Sequence, residues 1–236
     1  HYITMLTEAE LQAVTEQMPD LWGLLSEEEK QTFAETLNIQ VYRKHQMVYH
    51  EGESPDHLLC LLSGKVKIFR EGVGGRSQIM RIMAPGQYFG YRASLAAEPY
   101  VTAATAFEES KICAIPMGVV KEAMLHNNSL CQFFIRELAT DLGIADRRTV
   151  SLTQKHIRGR LAESILFLKD TYGVDKKTNT IDIQLSRKDL ADLSNMTTSN
   201  AIRTLTNFAN EGLIEIHGRK ISILSEERMR RISLIG

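Results

Sequence analysis

Residues 184–224 constrain the fold most, because their apolar residues first recur at helical spacing and then form two short runs. The helical spacing is interrupted once, at residues 194–197, which predicts two short helices joined by a tight turn. Ser186 is placed to cap the first helix and Thr197 to cap the second. Two short apolar runs follow, Leu213–His217 and Ile221–Leu224, and they predict a small β-hairpin.

The second of these helices carries polar groups on the side away from its apolar residues. They belong to Thr198, Ser199, Asn200 and Arg203. Hydroxyl, amide and guanidinium groups at the N-terminal end of a helix suit base edges and phosphates in a DNA major groove. An ordinary helical hairpin with a solvated outer face is the alternative. The basic hairpin tip, Gly218-Arg219-Lys220, favours a winged helix-turn-helix that binds double-stranded DNA.

Length and charge distribution indicate two functional parts. A chain of 236 residues is longer than one small domain usually requires. The net charge is −1, yet residues 151–236 hold 14 Lys and Arg against 10 Asp and Glu, whereas residues 1–150 hold 14 against 19. The basic part contains the proposed reading helix, which is the distribution expected of a DNA-binding domain.

Targeting and cysteine features place the protein in the cytoplasm. No apolar run approaches the ~20 residues of a membrane span, and no signal-peptide pattern opens the chain. The three cysteines, Cys60, Cys113 and Cys131, are odd in number and far apart. They fit reduced thiols in a cytosol better than a disulfide framework. We therefore expect a cytoplasmic protein without a membrane partner.

The N-terminal half predicts a β-roll behind a helical segment. Residues 5–37 have helical spacing, whereas residues 39–116 form about seven short alternating segments, each ended by a Gly or Pro turn. This pattern is typical of an antiparallel roll or jelly roll. The expected chain is α+β, with a sensor domain over residues 1–118, a dimerisation helix over 119–154 and a winged helix-turn-helix domain over 155–236.

The predicted dimerisation helix carries an apolar seam whose spacing alternates between 4 and 3 residues. The seam consists of Cys131, Ile135, Leu138, Leu142, Ala145, Thr149 and Leu152. This spacing is typical of a coiled coil, and two copies of a reading helix can address half-sites one helical turn apart. A single amphipathic helix lying on the roll is the alternative. Phe133 and Phe134 could pack there and leave the seam for a partner, so we expect a parallel homodimer.

The order of elements and several motifs resemble the Crp/Fnr family of bacterial transcription regulators, over about residues 20–224. The most specific motifs are H-E-G-E-S-P-D-H-L-L-C-L-L-S-G-K-V-K-I-F at 50–69, A-P-G-Q-Y-F-G at 84–90 and L-S-R-K-D-L-A at 185–191. The resemblance implies a cyclic-nucleotide-binding-like sensor, a dimerising helix and a DNA-binding domain. It implies a homodimeric regulator that reads a palindromic operator and responds to a small effector.

The effector pocket departs from the members of this family that bind cyclic nucleotides. In those members a Gly-Glu pair follows the Phe, and an Arg-Ser or Arg-Thr pair follows later. Here Phe89-Gly90 is kept, but Tyr91 replaces the Glu and Tyr100-Val101 replaces the Arg-Ser pair. Losing both the ribose acceptor and the phosphate clamp leaves the phosphate unpaired. We therefore expect weak binding of cAMP.

The remaining pocket is richer in aromatic residues than a nucleotide pocket. It comprises Tyr88, Phe89, Gly90, Tyr91, Arg92, Tyr100, Val101 and Thr102. Either an unidentified small molecule occupies it or it is packed shut, and both alternatives stay open. The sequence lacks the clustered cysteines that an iron–sulfur site requires. His45, His50 and His57 are isolated and do not indicate a haem site. No metal or other cofactor is therefore expected.

The resemblance also assigns DNA contacts. Arg203 matches the recognition-helix arginine of the family, whereas Thr198 and Ser199 stand where many members have Arg and Glu, so a different half-site is expected. The expected contacts are Ser186, Arg187, Lys188, Thr197, Thr198, Ser199, Asn200, Arg203, Arg219 and Lys220. By family analogy, the turn at 173–180 is a candidate contact for RNA polymerase.

The sequence disfavours two other functional classes. A ligand-binding module that acts on a protein partner would favour an apolar outer face on the second helix, and this face is polar. An enzyme would require a catalytic pattern, and no nucleophile elbow, phosphate loop or metal-ligand spacing occurs in the sequence. We therefore expect a DNA-binding regulator that is not an enzyme.

Overall fold

The computed structural model describes residues 5–235, so the ends of the predicted outer domains, residues 1–4 and 236, lie outside the described residues. The chain forms two compact units. The first comprises residues up to 70 together with 81–142, and the second comprises 71–80 together with residues from 143 onward. No helix within residues 5–235 is long and apolar enough to cross a membrane.

The N-terminal helical segment is divided into three helices. These are α1 (Glu8–Glu16), α2 (Pro19–Trp22) and α3 (Glu27–Thr36). Helix α3 begins with a capping box, in which Ser26 Oγ accepts a hydrogen bond from Glu29 N while the Glu29 carboxylate accepts one from Ser26 N. Pro19 opens α2, where its missing N–H costs no helical hydrogen bond. The predicted helical region is therefore confirmed, with two breaks.

The first unit contains a β-roll of two four-stranded sheets. The strands are β1 (Asn38–Tyr42), β2 (Met47–Tyr49), β3 (His57–Ser63), β4 (Val66–Glu71), β5 (Ser77–Met83), β6 (Tyr88–Phe89), β7 (Ala103–Ala106) and β8 (Ser110–Pro116). One sheet has the order β1-β8-β3-β6 and the other β2-β7-β4-β5. Strands β1, β3, β6 and β8 pair antiparallel, and β7 pairs antiparallel with β2 and β4.

The apolar run of β3 is buried on both faces, which explains why it does not alternate with polar residues. Leu58 and Cys60 lie in a core that includes residues of α1–α3, whereas Leu59 and Leu61 lie in a second core inside the roll. The first core also receives helix α4 (Tyr91–Leu95) through Tyr91 and helix α5 (Met117–Met124) through Val120. The two cores hold the sheets and helices of this unit in one arrangement.

A long helix, α6 (Asn128–Gln154), follows α5 after a short break. Asn127 lies at this break, where its Oδ1 accepts a 2.9 Å hydrogen bond from Leu130 N and its Nδ2 donates one of 2.8 Å to Leu24 O. The region predicted as the dimerisation helix, 119–154, therefore contains the end of α5 and all of α6.

The second unit has the elements of a winged helix-turn-helix. They are α7 (Ile157–Tyr172), α8 (Arg187–Ser194), α9 (Thr198–Asn210), β9 (Ile214–His217), β10 (Lys220–Ile223) and α10 (Glu226–Ile235). Helix α10 was absent from the sequence prediction. It packs on α7, buries Met229, and pairs Arg230 with Asp170 at 3.0 Å. The predicted fold class is confirmed: an α+β chain with an N-terminal antiparallel roll, a long helix and a C-terminal winged helix-turn-helix.

Candidate DNA-binding surface and effector site

The turn between α8 and α9 is shaped by the polar residues that the sequence singled out. Ser186 Oγ accepts a 3.0 Å hydrogen bond from Asp189 N at the start of α8, and Thr197 Oγ1 accepts one of 3.2 Å from Asn200 N at the start of α9. Asn195 ends α8 with φ 53° and ψ 60°. Asparagine tolerates this left-handed conformation better than most residues, so the chain can turn sharply into α9.

The inner side of the helix pair is apolar and closed. Leu190, Ala201, Leu205 and Phe208 are buried. Ser194 is also buried, and its hydroxyl donates a 2.8 Å hydrogen bond to Ser164 Oγ on α7. This packing fixes which side of α9 faces outward.

The outer face of α9 consists of two rows of exposed residues, each spaced by four. One row is Thr198, Ile202 and Thr206, and the other is Ser199, Arg203 and Asn207. Asn200, which the sequence analysis included, is half-buried beside the cap. Ile202, Thr206 and Asn207 were not among the predicted contacts, although four-residue steps from Thr198 and Ser199 lead to them.

The Arg203 guanidinium makes no hydrogen bond or ion pair with other residues of the described range 5–235. Its side chain is exposed in the second turn of the helix. A fully charged, planar group with five N–H donors is therefore free to bind a base edge or a phosphate.

The two basic residues of α8 that were predicted to contact DNA, Arg187 and Lys188, already have partners within the fold. Arg187 Nη2 donates a 2.7 Å hydrogen bond to the backbone carbonyl of Gly218 in the β9–β10 turn. Arg187 Nη1 is buried and has no hydrogen-bond partner in the described part of the chain. Burial, and then the charge of Arg219, lower the pKa of Arg187. Lys188 Nζ lies 2.6 Å from the carboxylate of the largely buried Asp192. Arg187 thus ties the wing to α8.

The wing itself matches its prediction within one residue at each end. Strands β9 and β10 pair antiparallel, with His217 opposite Lys220, so Gly218 and Arg219 form the connecting turn. Gly218 has φ 62°, a left-handed conformation that glycine adopts without steric cost. Arg219 and Lys220 are exposed at the tip.

Arg148 of α6 joins two backbone segments of the second unit through three carbonyl groups. Its Nη1 donates to Met80 O at 2.6 Å, and its Nη2 donates to Ile79 O and to Leu193 O, each at 2.9 Å. Burial lowers the pKa of Arg148, and the charge of Glu163 opposes this effect. The C-terminal end of α8 is therefore held against residues 79–80 of strand β5. The sequence showed no sign of this contact.

In the predicted effector pocket, Tyr88 and Tyr91 belong to the core that includes the helices. Tyr88 OH donates a 2.7 Å hydrogen bond to Asp20 Oδ1. The Tyr91 ring lies 5.2 Å from that of Phe134 between centroids, and its hydroxyl is buried with no hydrogen-bond partner among residues 5–235. Burial raises the pKa of Tyr91, and the charges of Asp141 and Glu137 raise it further. A neutral phenol therefore stands in place of the carboxylate.

The other aromatic residues of the pocket pack inside the roll. Tyr100 stacks on Tyr49, with ring centroids 3.8 Å apart and planes 8° apart, and its hydroxyl donates to Gly90 O at 3.2 Å. A Cβ added at Gly90, where φ is 81°, would lie 3.1 Å from Tyr100 OH. Thr102 Oγ1 lies 3.4 Å from Tyr49 OH. Tyrosine side chains thus fill the space beside the kept glycine.

The remaining pocket residues offer little for a phosphate. The Arg92 guanidinium pairs with Glu98 at 2.8 Å. Phe89 is buried in the roll, and Val101 is partly exposed. Arg81, on β5, pairs with Asp141 at 2.7 Å. Both arginines near the pocket thus have carboxylate partners.

The predicted seam of α6 is largely uncovered in the single chain. Ile135 is 60% exposed and Leu142 63% exposed. Ala145 and Thr149 are exposed, whereas Cys131, Leu138 and Leu152 are partly buried. The same helix buries Phe134, and Phe133 packs against Tyr88 at 5.3 Å between ring centroids. The phenylalanines therefore attach the N-terminal part of α6 to the first unit.

Comparison with known proteins identifies both domains. Residues 39–127 match the cyclic nucleotide-binding domain family, and residues 159–232 match the Crp-like helix-turn-helix domain family. A CRP-like cAMP-activated global transcriptional regulator of Mycobacterium tuberculosis is 26% identical over 185 residues, 78% of this chain and 83% of that protein. A global nitrogen regulator of Nostoc sp. is 22% identical over 188 residues, 78% and 84% of the two chains.

Solved structures share the fold. FixK2 from Bradyrhizobium japonicum superposes with a TM-score of 0.75 at 21% identity, over 84% of this chain and 97% of that chain. A CRP-family transcriptional regulator from Thermus thermophilus superposes with a TM-score of 0.70 at 23% identity, over 82% and 96%.

The fold and the two domain matches define a DNA-binding transcription regulator with a cyclic-nucleotide-binding-type domain. The chain belongs to the Crp/Fnr family, as its motifs indicated. This family consists of transcription regulators and not of enzymes, which confirms the prediction that the chain is not an enzyme. Within residues 5–235, no group of three or more His, Cys, Asp or Glu side chains could hold a metal ion.

Proposed function

We propose that this regulator acts as a homodimer that reads a palindromic operator with α9 and the wing. The observation that carries this proposal is the outer face of α9, where the unpaired Arg203 stands among exposed hydroxyl and amide groups. The basic wing tip, Arg219 and Lys220, adds positive charge for the phosphate backbone. Ser186 and Thr197 contribute by capping the two helices.

Arg203→Ala tests the DNA-reading face. The site would first be selected from a pool of random duplexes by the wild-type protein. We expect the variant to lose roughly 1–3 kcal/mol of binding free energy and to accept all four bases at one position of the half-site. A uniform loss across all sequences would instead assign Arg203 to a phosphate. Phe208, which is buried, is unsuitable as a control, whereas Asn210 is exposed beyond the second turn and Asn210→Ala should bind normally.

The dimer proposal is supported by the uncovered seam of α6, from Cys131 to Leu152. Ile135 and Leu142 are large apolar residues one heptad apart, and both are mostly exposed in the single chain. A second copy would bury them. We expect sedimentation equilibrium to give twice the chain mass, and Leu142→Glu to give the mass of one chain. A wild-type monomer at micromolar concentration would contradict the proposal.

We further propose that cAMP is not the effector. The relative from Mycobacterium tuberculosis is described as cAMP-activated, but this chain has Tyr91 and a filled space beside Gly90. The stacked Tyr49 and Tyr100 favour a pocket that is packed shut over one that holds another small molecule. A ligand at 100 times its Kd adds about 2.7 kcal/mol of stability. We expect thermal-shift titrations with cAMP and cGMP to show no change, and a clear shift would refute this proposal.

The remaining parts of the proposal follow from the family. A transcription regulator acts where the genome is, so we place the protein in the cytoplasm. The turn at 173–180 is proposed as a contact for RNA polymerase. It is ordered by Asp175, whose carboxylate accepts hydrogen bonds from Lys177 N and Thr178 N at 2.7 and 3.2 Å. Transcription in vitro on a promoter with the selected site would show whether Lys176→Ala changes activation without changing DNA binding.

A further inference from the structure

We propose that Ile202 is a specificity-determining residue that contacts the C5-methyl group of a thymine in the major groove. This inference rests on the proposed DNA-reading function and names a base that the site must contain. Ile202 lies in the middle of the exposed row Thr198, Ile202 and Thr206, and its side chain is 47% exposed.

The position of Ile202 is unusual for α9. The other large apolar residues of this helix, Leu205 and Phe208, are buried against the rest of the unit. Its exposed positions otherwise carry hydroxyl, amide or guanidinium groups. Isolated exposed apolar residues are common on proteins. This one, however, lies beside the unpaired Arg203, at the centre of the surface that faces DNA.

The depth of Ile202 in the helix suits contact with a base. Helix α9 begins at Thr198, so Ile202 is one turn beyond the first residue and directly precedes Arg203. Recognition helices place the residues of their N-terminal part against base edges. A side chain at this position therefore faces the groove floor.

The chemistry of the major groove selects thymine as the partner. Thymine presents a methyl group there beside its O4 acceptor, whereas adenine, guanine and cytosine present hydrogen-bonding groups and no methyl group. Isoleucine cannot satisfy such groups, and covering them would leave them unpaired at a cost. Thr206 strengthens the apolar character of this row, because its hydroxyl donates to Ile202 O at 3.0 Å.

Uracil substitution tests the proposal directly. Full-length protein is used to select its site from a pool of random duplexes, and each thymine of that site is then replaced by uracil, which removes only the methyl group. The wild-type protein should bind about fourfold more weakly for each contacted methyl that is removed. At the DNA position where uracil weakens wild-type binding, Ile202→Ser should bind the thymine and uracil duplexes equally. Ile202→Val should retain most of the wild-type difference in affinity between these two duplexes.

Phe167→Ser is the matched control, since Phe167 is 42% exposed on α7, outside the DNA-reading face. This variant should lose as much affinity on uracil substitution as the wild-type protein does. If the wild-type protein binds every uracil duplex as tightly as the thymine duplex, the inference about Ile202 is overturned, whereas the proposed DNA-reading function is not. The same holds if Ile202→Ser still binds the uracil duplex more weakly than the thymine duplex. Failure to enrich any duplex overturns both the inference and the proposed DNA-reading function.

Discussion

The guanidinium of Arg148 donates a 2.9 Å hydrogen bond to the backbone carbonyl of Leu193, one residue before α8 ends. The last carbonyls of a helix lack partners within the helix, so a cation at this point satisfies one of them and interacts favourably with the helix dipole. The same guanidinium serves Ile79 O and Met80 O. The geometry of the helix-turn-helix thus depends on a residue of α6 that lies outside it.

Replacing Arg148 tests this dependence. Arg148→Gln removes the group that serves three carbonyls, and we expect the free energy of unfolding to fall by about 1–3 kcal/mol, because these acceptors lose their partner. Urea unfolding followed by circular dichroism would measure the change. Arg147→Gln is the control, because Arg147 is exposed and should change stability by less than about 0.5 kcal/mol. Equal stability of the two variants would show that Arg148 contributes nothing.

Two tyrosines of the predicted pocket should respond oppositely to loss of their hydroxyl groups. Tyr91→Phe removes a buried hydroxyl without a partner, so stability should stay the same or rise by up to about 1 kcal/mol. Tyr88→Phe breaks the 2.7 Å hydrogen bond to Asp20 and should cost about 1.5–3 kcal/mol. Thermal unfolding compares the two variants directly. A large loss in Tyr91→Phe would mean that its hydroxyl has a partner in solution.

The wing should contribute to DNA affinity through charge and not through sequence. Lys220→Ala and Arg219→Ala should each weaken binding to all duplexes similarly and reduce the salt dependence, the slope of log K against log salt, by about 1. Fluorescence anisotropy between 50 and 200 mM salt, a range over which phosphate contacts lose affinity steeply, gives this slope. Lys177→Ala, which alters an exposed lysine of the 173–180 turn, is the control. An unchanged slope in both wing variants would exclude the tip from phosphate contact.

Acid should weaken the second unit through Glu211. The Arg158 guanidinium donates two hydrogen bonds to this carboxylate, at 2.8 and 2.9 Å, and lowers its pKa from the ordinary value of 4.5. A lowered pKa in the folded state means that the unfolded state binds more protons. The stabilisation is therefore complete above pH 4.5 and is lost as pH falls below it through the folded pKa. In Glu211→Gln, the midpoint of thermal unfolding should decline less over this acidic range than in the wild type.

Features that depend on neighbouring residues along the chain were predictable. The caps at Ser186 and Thr197 and the left-handed turn at Asn195 follow from local hydrogen bonding and backbone sterics. The roll followed from short strand segments between glycine and proline turns, although β2 and β6 are too short to show alternation and β3 is a continuous apolar run. Helix α10 was missed, because its charged sequence does not form the broad apolar face that marks a helix.

By itself, then, the sequence determined most of the elements, their order and the polar groups on the outer face of α9, since periodicity and capping act over a few residues. Tertiary structure alone decided what each side chain contacts. It engaged Arg187 with the wing, joined Arg148 to Leu193, stacked Tyr49 on Tyr100 and left Ile202 exposed. These contacts join residues far apart in the chain, and their formation depends on how whole elements pack to bury apolar surface.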